Sequence, residues 1–312
     1  MDFTFTTEQD ELRELIRGFL GKHTVRSREP GSYDTALWRR ITEELGLVDL
    51  PPVEQAVVLE ETGRALLALP YLSTVVAAGL LPESLRGSGP LALALDGTFT
   101  VDGDRLTGSA AHVMDGDVAA LAVVAAAGGL FAVPLAEAER TGLPTLDQSR
   151  PGARISLRDA PGTRLDATPD EARDLLQVAL AVEALGTAAA SLESTVVHLR
   201  TRHQFGVALA SFQALRHRVA DLAVALDAAT STAWYAVRAG AGERPVTGPM
   251  AKLVAAQAAY TVTAEGIQLH GGIGFTWEHD AHRLFKRATV TRLTHGDPVA
   301  LRRLIARRAG LT

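Results

Sequence analysis

The chain has 312 residues and a mass of 33.0 kDa, room for two or three domains at roughly 100–200 residues each. With 47% hydrophobic and 21% charged residues it is no disordered chain, and a net charge of -5 with a pI of about 6.0 offers no basic field to a nucleic acid. The absence of cysteine excludes disulfides, thiolate nucleophiles and Cys-ligated metal or iron–sulfur sites.

The opening residues lack a basic segment followed by an apolar run, so they do not read as a signal peptide. Apolar stretches such as Val118 to Val133 fall short of the about 20 residues of a membrane span. A cytoplasmic protein without membrane contact is the expectation. Thr6 or Thr7 caps a first helix whose Leu12, Leu15, Ile16, Phe19 and Leu20 form one apolar stripe. A second helix is predicted over Thr35–Leu45, stopped by Gly46, a third over Pro52–Leu67, and a short apolar one over Ser73–Leu81. Residues 1–87 thus read as a helical domain.

Past Pro82 the pattern turns extended. Pro90–Leu95, Thr98–Val101, Val118–Ala126, Leu130–Val133 and Arg154–Leu157 read as strands, with Asp96-Gly97, Asp102-Gly103 and Gly128-Gly129 as hairpin dipeptides. Residues 88–162 read as a small β domain. Thr168-Pro169-Asp170-Glu171 is a capping box, opening a long helix to about Arg202. Further helices are predicted over Ser211–Ala239, Gly248–His270, His279–Leu293 and from Pro298 to about Arg308, with Asp297 as an N-cap. Residues 163–312 therefore read as an antiparallel helical bundle.

Dinucleotide, P-loop and nucleophile-elbow motifs are missing. His279 and His282 share one helix face, but two histidines make no metal site, and none is expected. Two segments are unusual for a plain bundle. Arg202-His203-Gln204-Phe205-Gly206, followed by Gln213, places a guanidinium in a helix joint. Gln268-Leu269-His270-Gly271-Gly272-Ile273-Gly274-Phe275 breaks a helix end with three glycines, which tolerate positive φ and let a ligand approach bare backbone. An arginine fork suits a pyrophosphate or an adenine edge. The same residues also read as a helix C-cap beside a surface arginine.

These segments, in this order and spacing, resemble the C-terminal domain of the acyl-CoA dehydrogenase family, whose pattern runs R-x-x-F-G, a Gln eight residues past the Phe, then Q-x-x-G-G-x-G-[FY]. Trp38 and Glu43-Glu44-Leu45-Gly46-Leu47 are similar to that family too. The resemblance implies a mostly α fold: an N-terminal helical domain, a middle β-barrel-like domain and a C-terminal four-helix bundle. It implies an FAD-dependent oxidoreductase of lipid or steroid degradation that makes a 2,3-double bond in an acyl-CoA thioester. Arg202 would pair with the FAD pyrophosphate or adenine side, typically on a neighbouring subunit. Phe205 would pack on the cofactor, and Gln213, Gln268, Gly271 and Gly272 would line its adenosine and phosphate end. An oligomer follows, with an electron-accepting flavoprotein as a further partner.

The chain departs from the family where the chemistry happens. The usual basic glutamate, in a Y-E-G-T segment, is replaced by His295 within Thr294-His295-Gly296-Asp297. The alternative base position falls near Leu176 and Gln177, neither of them a base. Glu183, two turns on, is either a displaced base or a carboxylate at a helix or subunit contact. The T-E-P-x-x-G-S-D-like flavin loop is missing, and His112 stands where a tryptophan is usual. Gly274-Phe275-Thr276-Trp277-Glu278-His279-Asp280 looks similar to bacterial members of steroid side-chain degradation that work as α2β2 complexes sharing one FAD site. The expected function is a flavoprotein subunit completed by a base-bearing homologue. The alternatives are a homo-oligomer using His295 and a structural or regulatory relative that has lost its flavin.

Overall fold

The computed structural model describes residues 4–23, 26–87 and 89–311. In chain order come α1 (Thr7–Lys22), α2 (Thr35–Arg39), which continues into one π-helical turn over Arg40–Glu44, α3 (Pro52–Ala65), α4 (Tyr71–Ala78) and α5 (Glu83–Arg86). Eight strands follow: β1 (Leu91–Ala94), β2 (Thr98–Asp102), β3 (Arg105–Met114), β4 (Leu121–Ala126), β5 (Gly129–Pro134), β6 (Glu139–Leu143), β7 (Gly152–Pro161) and β8 (Thr163–Leu165). The long α6 (Pro169–Thr201) leads through the two-residue strands β9 (His203–Gln204) and β10 (Val207–Ala208) to α7 (Gln213–Arg238), α8 (Arg244–His270), α9 (Ala281–Leu293) and α10 (Pro298–Arg308). By contact the chain forms two compact units that interleave along the sequence. Met1–Thr24, Ala56–Leu66 and Leu180–Thr312 make one, Val25–Gln55 and Leu67–Ala179 the other.

The mixed unit is built on two four-stranded sheets, ordered β1-β4-β5-β8 and β2-β3-β7-β6. Their inward residues, among them Ala92, Phe99, Leu106, Val124, Val133 and Ile155, share one buried core. Asp102-Gly103 does open a hairpin, with Asp102 opposite Arg105 and Gly103 at φ +60. Asp96-Gly97 does not: β1 and β2 lie in different sheets, and β1 instead pairs in parallel with β4, Leu91 opposite Leu121. Three strands escape the sequence pattern. Strands β6 and β8 are short sheet edges, and β3 alternates too irregularly, with register breaks against β7. Buried charge ties the segment before α2 to this unit. The Arg28 guanidinium donates to Asp115 at 2.8 Å and to Asp117 at 2.7 Å, while the Ser73 hydroxyl donates to the other Asp115 oxygen at 2.6 Å.

In the helical unit, α1 is capped reciprocally by Thr6 and Gln9 and docks on α3 through arginine. Arg13 reaches Glu60 at 2.9 Å, and the fork of Arg17 takes the buried Glu61 carboxylate at 2.9 and 2.8 Å. Helices α3 and α6 touch backbone to backbone. A Cβ on Gly63 would overlap the Glu183 carbonyl, and one on Gly186 would overlap that of Glu60. Helix α6 is the one described helix long and apolar enough to cross a membrane by length and composition, longer than the apolar stretches that the sequence pattern marks out. Its most apolar window is 72% buried inside the protein, as in a core helix.

The Gly186 contact sets a test. A methyl group gains about 1 kcal/mol of helix propensity over glycine. Here it meets a carbonyl oxygen that moves only with its helix, so Gly186→Ala is expected to lose about 3 kcal/mol, the upper end of ordinary overpacking. A urea midpoint equal to or above that of the parent would show that α3 and α6 are free to separate.

Candidate functional site

Helix α6 ends at Thr201, and the chain reverses at once. The Arg202 N–H donates to the His198 carbonyl at 2.8 Å and the Arg202 carbonyl accepts Leu209 N–H at 2.8 Å, framing the β9–β10 ladder. Its two-residue turn is Phe205-Gly206, at φ +54 and +80. Two consecutive positive φ values are the requirement of a tight type I′ turn. Glycine adopts them freely, whereas a phenylalanine there is strained by about 1–2 kcal/mol. The strained ring is 91% exposed and stands perpendicular to that of Phe212, 6.2 Å away by ring centres. Arg202 is exposed as well, and among the described residues no acid or acceptor takes its guanidinium. Gln213, the first residue of α7, faces solvent beside them.

The second corner is the end of α8. Gly271 turns the chain at φ +65, its N–H donating to the Gln268 carbonyl, and a 3-10 turn over Gly271–Phe275 follows. The glycines divide by role. A Cβ on Gly271 or Gly272 would meet nothing within 4 Å, so their backbone is open to a ligand, whereas a Cβ on Gly274 would sit 2.9 Å from the Ile267 carbonyl oxygen and is excluded by packing. Gln268, Ile273 and Phe275 are exposed around the open pair.

The two corners are neighbours in one protomer. Gly266, one turn before the end of α8, lets that helix close on α6: a Cβ there would lie 2.6 Å from the Ser191 hydroxyl. His270 then reaches α6. Its Nδ1 donates to the Gly266 carbonyl at 2.6 Å, its Nε2 faces the Ser194 hydroxyl at 3.4 Å, and its ring lies 4.7 Å from that of His198, one turn before Arg202. The His279 ring also lies against that of His270, tilted by 48° with centres 4.3 Å apart. Beyond it Trp277 carries Lys286 over its face, 4.6 Å from the ring centre, and His282 at its edge. A guanidinium, a bare backbone turn and an exposed aromatic ring therefore share one surface, a donor set that fits an anionic dinucleotide.

Residues 174–310 match the model of the acyl-CoA dehydrogenase C-terminal domain. Over nearly its whole length the chain is 34% identical to acyl-CoA dehydrogenase IpdE2 of Mycobacterium tuberculosis, the alignment spanning 95% of this chain and 96% of that one. The chain belongs to the acyl-CoA dehydrogenase family. Among solved structures it is similar to the Tcur3481-Tcur3483 steroid ACAD G363A variant, with TM-score 0.86 and 29% identity over 97% of this chain and 99% of that one. It also shares the fold of the ChsE4-ChsE5 complex of Mycobacterium tuberculosis, with TM-score 0.90 and 24% identity over the full length of both.

The acyl-CoA dehydrogenase base positions are occupied as follows. His295 lies in the α9–α10 joint, at the opposite end of α9 from the glycine corner, about 20 Å away by the rise of a 13-residue helix. It adopts φ +53, followed by Gly296 at +108, and the fully buried Lys252 donates to the Gly296 carbonyl at 2.6 Å. Asp297 caps α10 by accepting Val299 and Ala300 N–H. Glu183 is locked in the bundle interior in an ion pair with Arg287 at 2.9 Å, both buried, and so takes the role of a helix-contact carboxylate. Leu176 and Gln177 are buried in α6, and His112 lies exposed on β3. Among the described residues no group of three or more His, Asp or Glu is placed to hold a metal. Sequence reasoning missed the histidine stack and Lys252. The sequence signal available for the stack was His198, four residues before the motif arginine, and His270, directly before the glycine pair.

Burial, and then the charge of His279 and Arg202, holds the His198 imidazole below its ordinary value. Burial does the same at His270, reinforced by His279 and His198. Both rings stay neutral in the folded chain at pH values where the unfolded chain has already bound protons. Stability therefore falls as pH drops from about 6.5 towards the depressed folded values. Melting at pH 7.5 and 5.5 is expected to show a smaller acid loss for His270→Asn than for the parent; equal losses would contradict this assignment. Arg287→Met, which removes the cation from a buried pair, is expected to lose about 3–5 kcal/mol in urea unfolding, with Glu183→Leu on top restoring much of it.

Proposed function

We propose that the chain is the dinucleotide-gripping subunit of a heteromeric, FAD-dependent acyl-CoA dehydrogenase that acts on acyl-CoA thioesters of the steroid-derived class. The observation that carries this reading is the corner where Arg202, Phe205 and the open Gly271-Gly272 backbone meet in a member of the family. FAD, when bound, supplies the hydride acceptor that α,β-dehydrogenation requires. Arg202 holds a phosphate oxygen pair through its fork. Gly271 and Gly272 let the backbone come within hydrogen-bond range, and Gln213 and Gln268 offer amides to the adenosine end. Phe205, already turned outward at a strained φ, packs on the cofactor.

The substrate α-proton needs a base. Glu183 is occupied by Arg287 and the glutamate of the usual segment is replaced by His295, so the base comes from a homologous partner subunit. A partner also accounts for the apolar surface at the corner, where Phe205 (91%), Phe275 (74%) and Trp277 (61%) stand exposed. IpdE2 is itself named an acyl-CoA dehydrogenase, and the Tcur3481-Tcur3483 steroid ACAD and ChsE4-ChsE5 structures are of two-component assemblies. An electron-accepting flavoprotein would be the further partner that takes up the electrons.

The test is co-expression with a homologous subunit that keeps the glutamate, followed by native mass and the flavin absorbance of the purified product. The expected product is a yellow hetero-oligomer that turns over acyl-CoA, while the chain alone does not. Removing a charge-assisted contact of about 1.5–3 kcal/mol, Arg202→Ala should weaken FAD retention at least about tenfold. Turnover by the chain alone, abolished in His295→Ala, would instead establish the self-sufficient enzyme. A colourless complex, or full flavin retention in Arg202→Ala, would refute the assignment of the corner.

A further inference from the structure

Helix α9 begins without help from the residue at its N-cap: Asp280 makes no side-chain cap bond. The Ala281 N–H instead donates to Nδ1 of His279 at 3.1 Å. A ring nitrogen accepts a hydrogen bond only when it carries no proton. The His270 ring against it is already committed, because the Gly266 carbonyl can only accept, which puts the proton of neutral His270 on Nδ1 and leaves Nε2 towards the Ser194 hydroxyl. The stack His198–His270–His279 thus spans the end of α6, the end of α8 and the start of α9, on the two sides of the glycine turn.

We propose that His279 is a positioning residue for the cofactor corner, and that its unprotonated imidazole is the latch that holds the Gly271–Gly272 turn beside Arg202. A proton on His279 removes the acceptor for Ala281 N–H. It also places a cation at a helix N-terminus, where the helix dipole is positive. It would stand 4.3 Å from His270 by ring centres, close to His198, with Arg202 just past the end of α6 and Arg283, Lys286 and His282 on α9 adding positive charge. The opposing acids are few. Asp280 lies 3.7 Å from Arg283, Glu265 of α8 pairs with Arg218 of α7, and Glu278 is exposed. With the acceptor for Ala281 N–H removed, mild acid loosens the segment 271–280 that presents the bare backbone. The latch is a property of the chain alone; its effect on a dinucleotide rests on the cofactor reading above.

The experiment is an amide NMR titration of the full 15N-labelled chain from pH 7.5 to 5.0, run beside equilibrium dialysis with FAD in the presence of the homologous subunit. The amides of Gly271, Gly272 and Ala281 are expected to shift together with a common midpoint. FAD affinity is expected to weaken at least about tenfold between pH 7.5 and 5.5. Glutamine can accept the Ala281 N–H without titrating, so His279→Gln should abolish the shared amide shift and cut the affinity change to less than about threefold. Glycine amides that stay still while the imidazoles titrate, or an unaltered pH dependence in His279→Gln, would overturn the latch. Absence of FAD binding at pH 7.5 would refute the cofactor reading, and the amide titration would then decide the latch by itself.

Discussion

Helix α8 approaches α6 with a glycine at the point of contact, and the geometry of the corner descends from that approach. With any side chain at position 266 the helices would stand apart by the width of a methyl group against Ser191 and Thr195. At the observed spacing His270, one turn later, reaches both Ser194 and His198, and the chain break at Gly271 lands beside the end of α6. The same economy governs the other side of α6, where Gly63 and Gly186 let α3 press carbonyl against helix. Interior helices that touch this closely have one register available, because interiors pack like crystals and side-chain cushions cannot absorb an error. The end of α6 and the bare turn are thereby held in one arrangement relative to each other.

Much of this was legible in the residues. Caps at Thr6, Thr168 and Asp297 announce helix starts through a local bond between a side chain and a backbone N–H, and the structure contains each of those bonds. The motif residues of the candidate site could be named because they carry unusual chemistry at fixed spacing. What could not be read depends on contacts between distant segments. Asp96-Gly97 has hairpin chemistry, yet the strand before it finds a better partner in β4. Strands β6 and β8 lie at sheet edges with half-exposed faces, so no alternation marks them. The histidine stack draws on three separate stretches of chain, and no spacing rule foretells that His198, His270 and His279 converge.

Departures from the family pattern fall on particular residues. Those that would grip the dinucleotide remain, one of them in a backbone conformation that phenylalanine adopts only under constraint. The carboxylate that the reaction calls for is replaced by a histidine in a left-handed turn, and the nearby carboxylate of Glu183 is spent on packing. A chain that retains the binding half of a site while altering the reactive half fits a division of labour between homologous subunits better than a gradual loss of the whole site.

Of the three lysines in the sequence, Lys252 is wholly buried beneath the Gly296 carbonyl, which leaves the side chains of Lys22 and Lys286 within reach of solvent. Lys286 lies over the Trp277 ring at the edge of the corner. Amine-directed reagents will therefore decorate very few side chains, one of them beside the proposed cofactor surface, where an attached dye can report occupancy through the quenching of a neighbouring indole. The lack of native thiols makes the molecule equally suited to a single engineered attachment point, so distance measurements across an assembly can be made without first removing any residue.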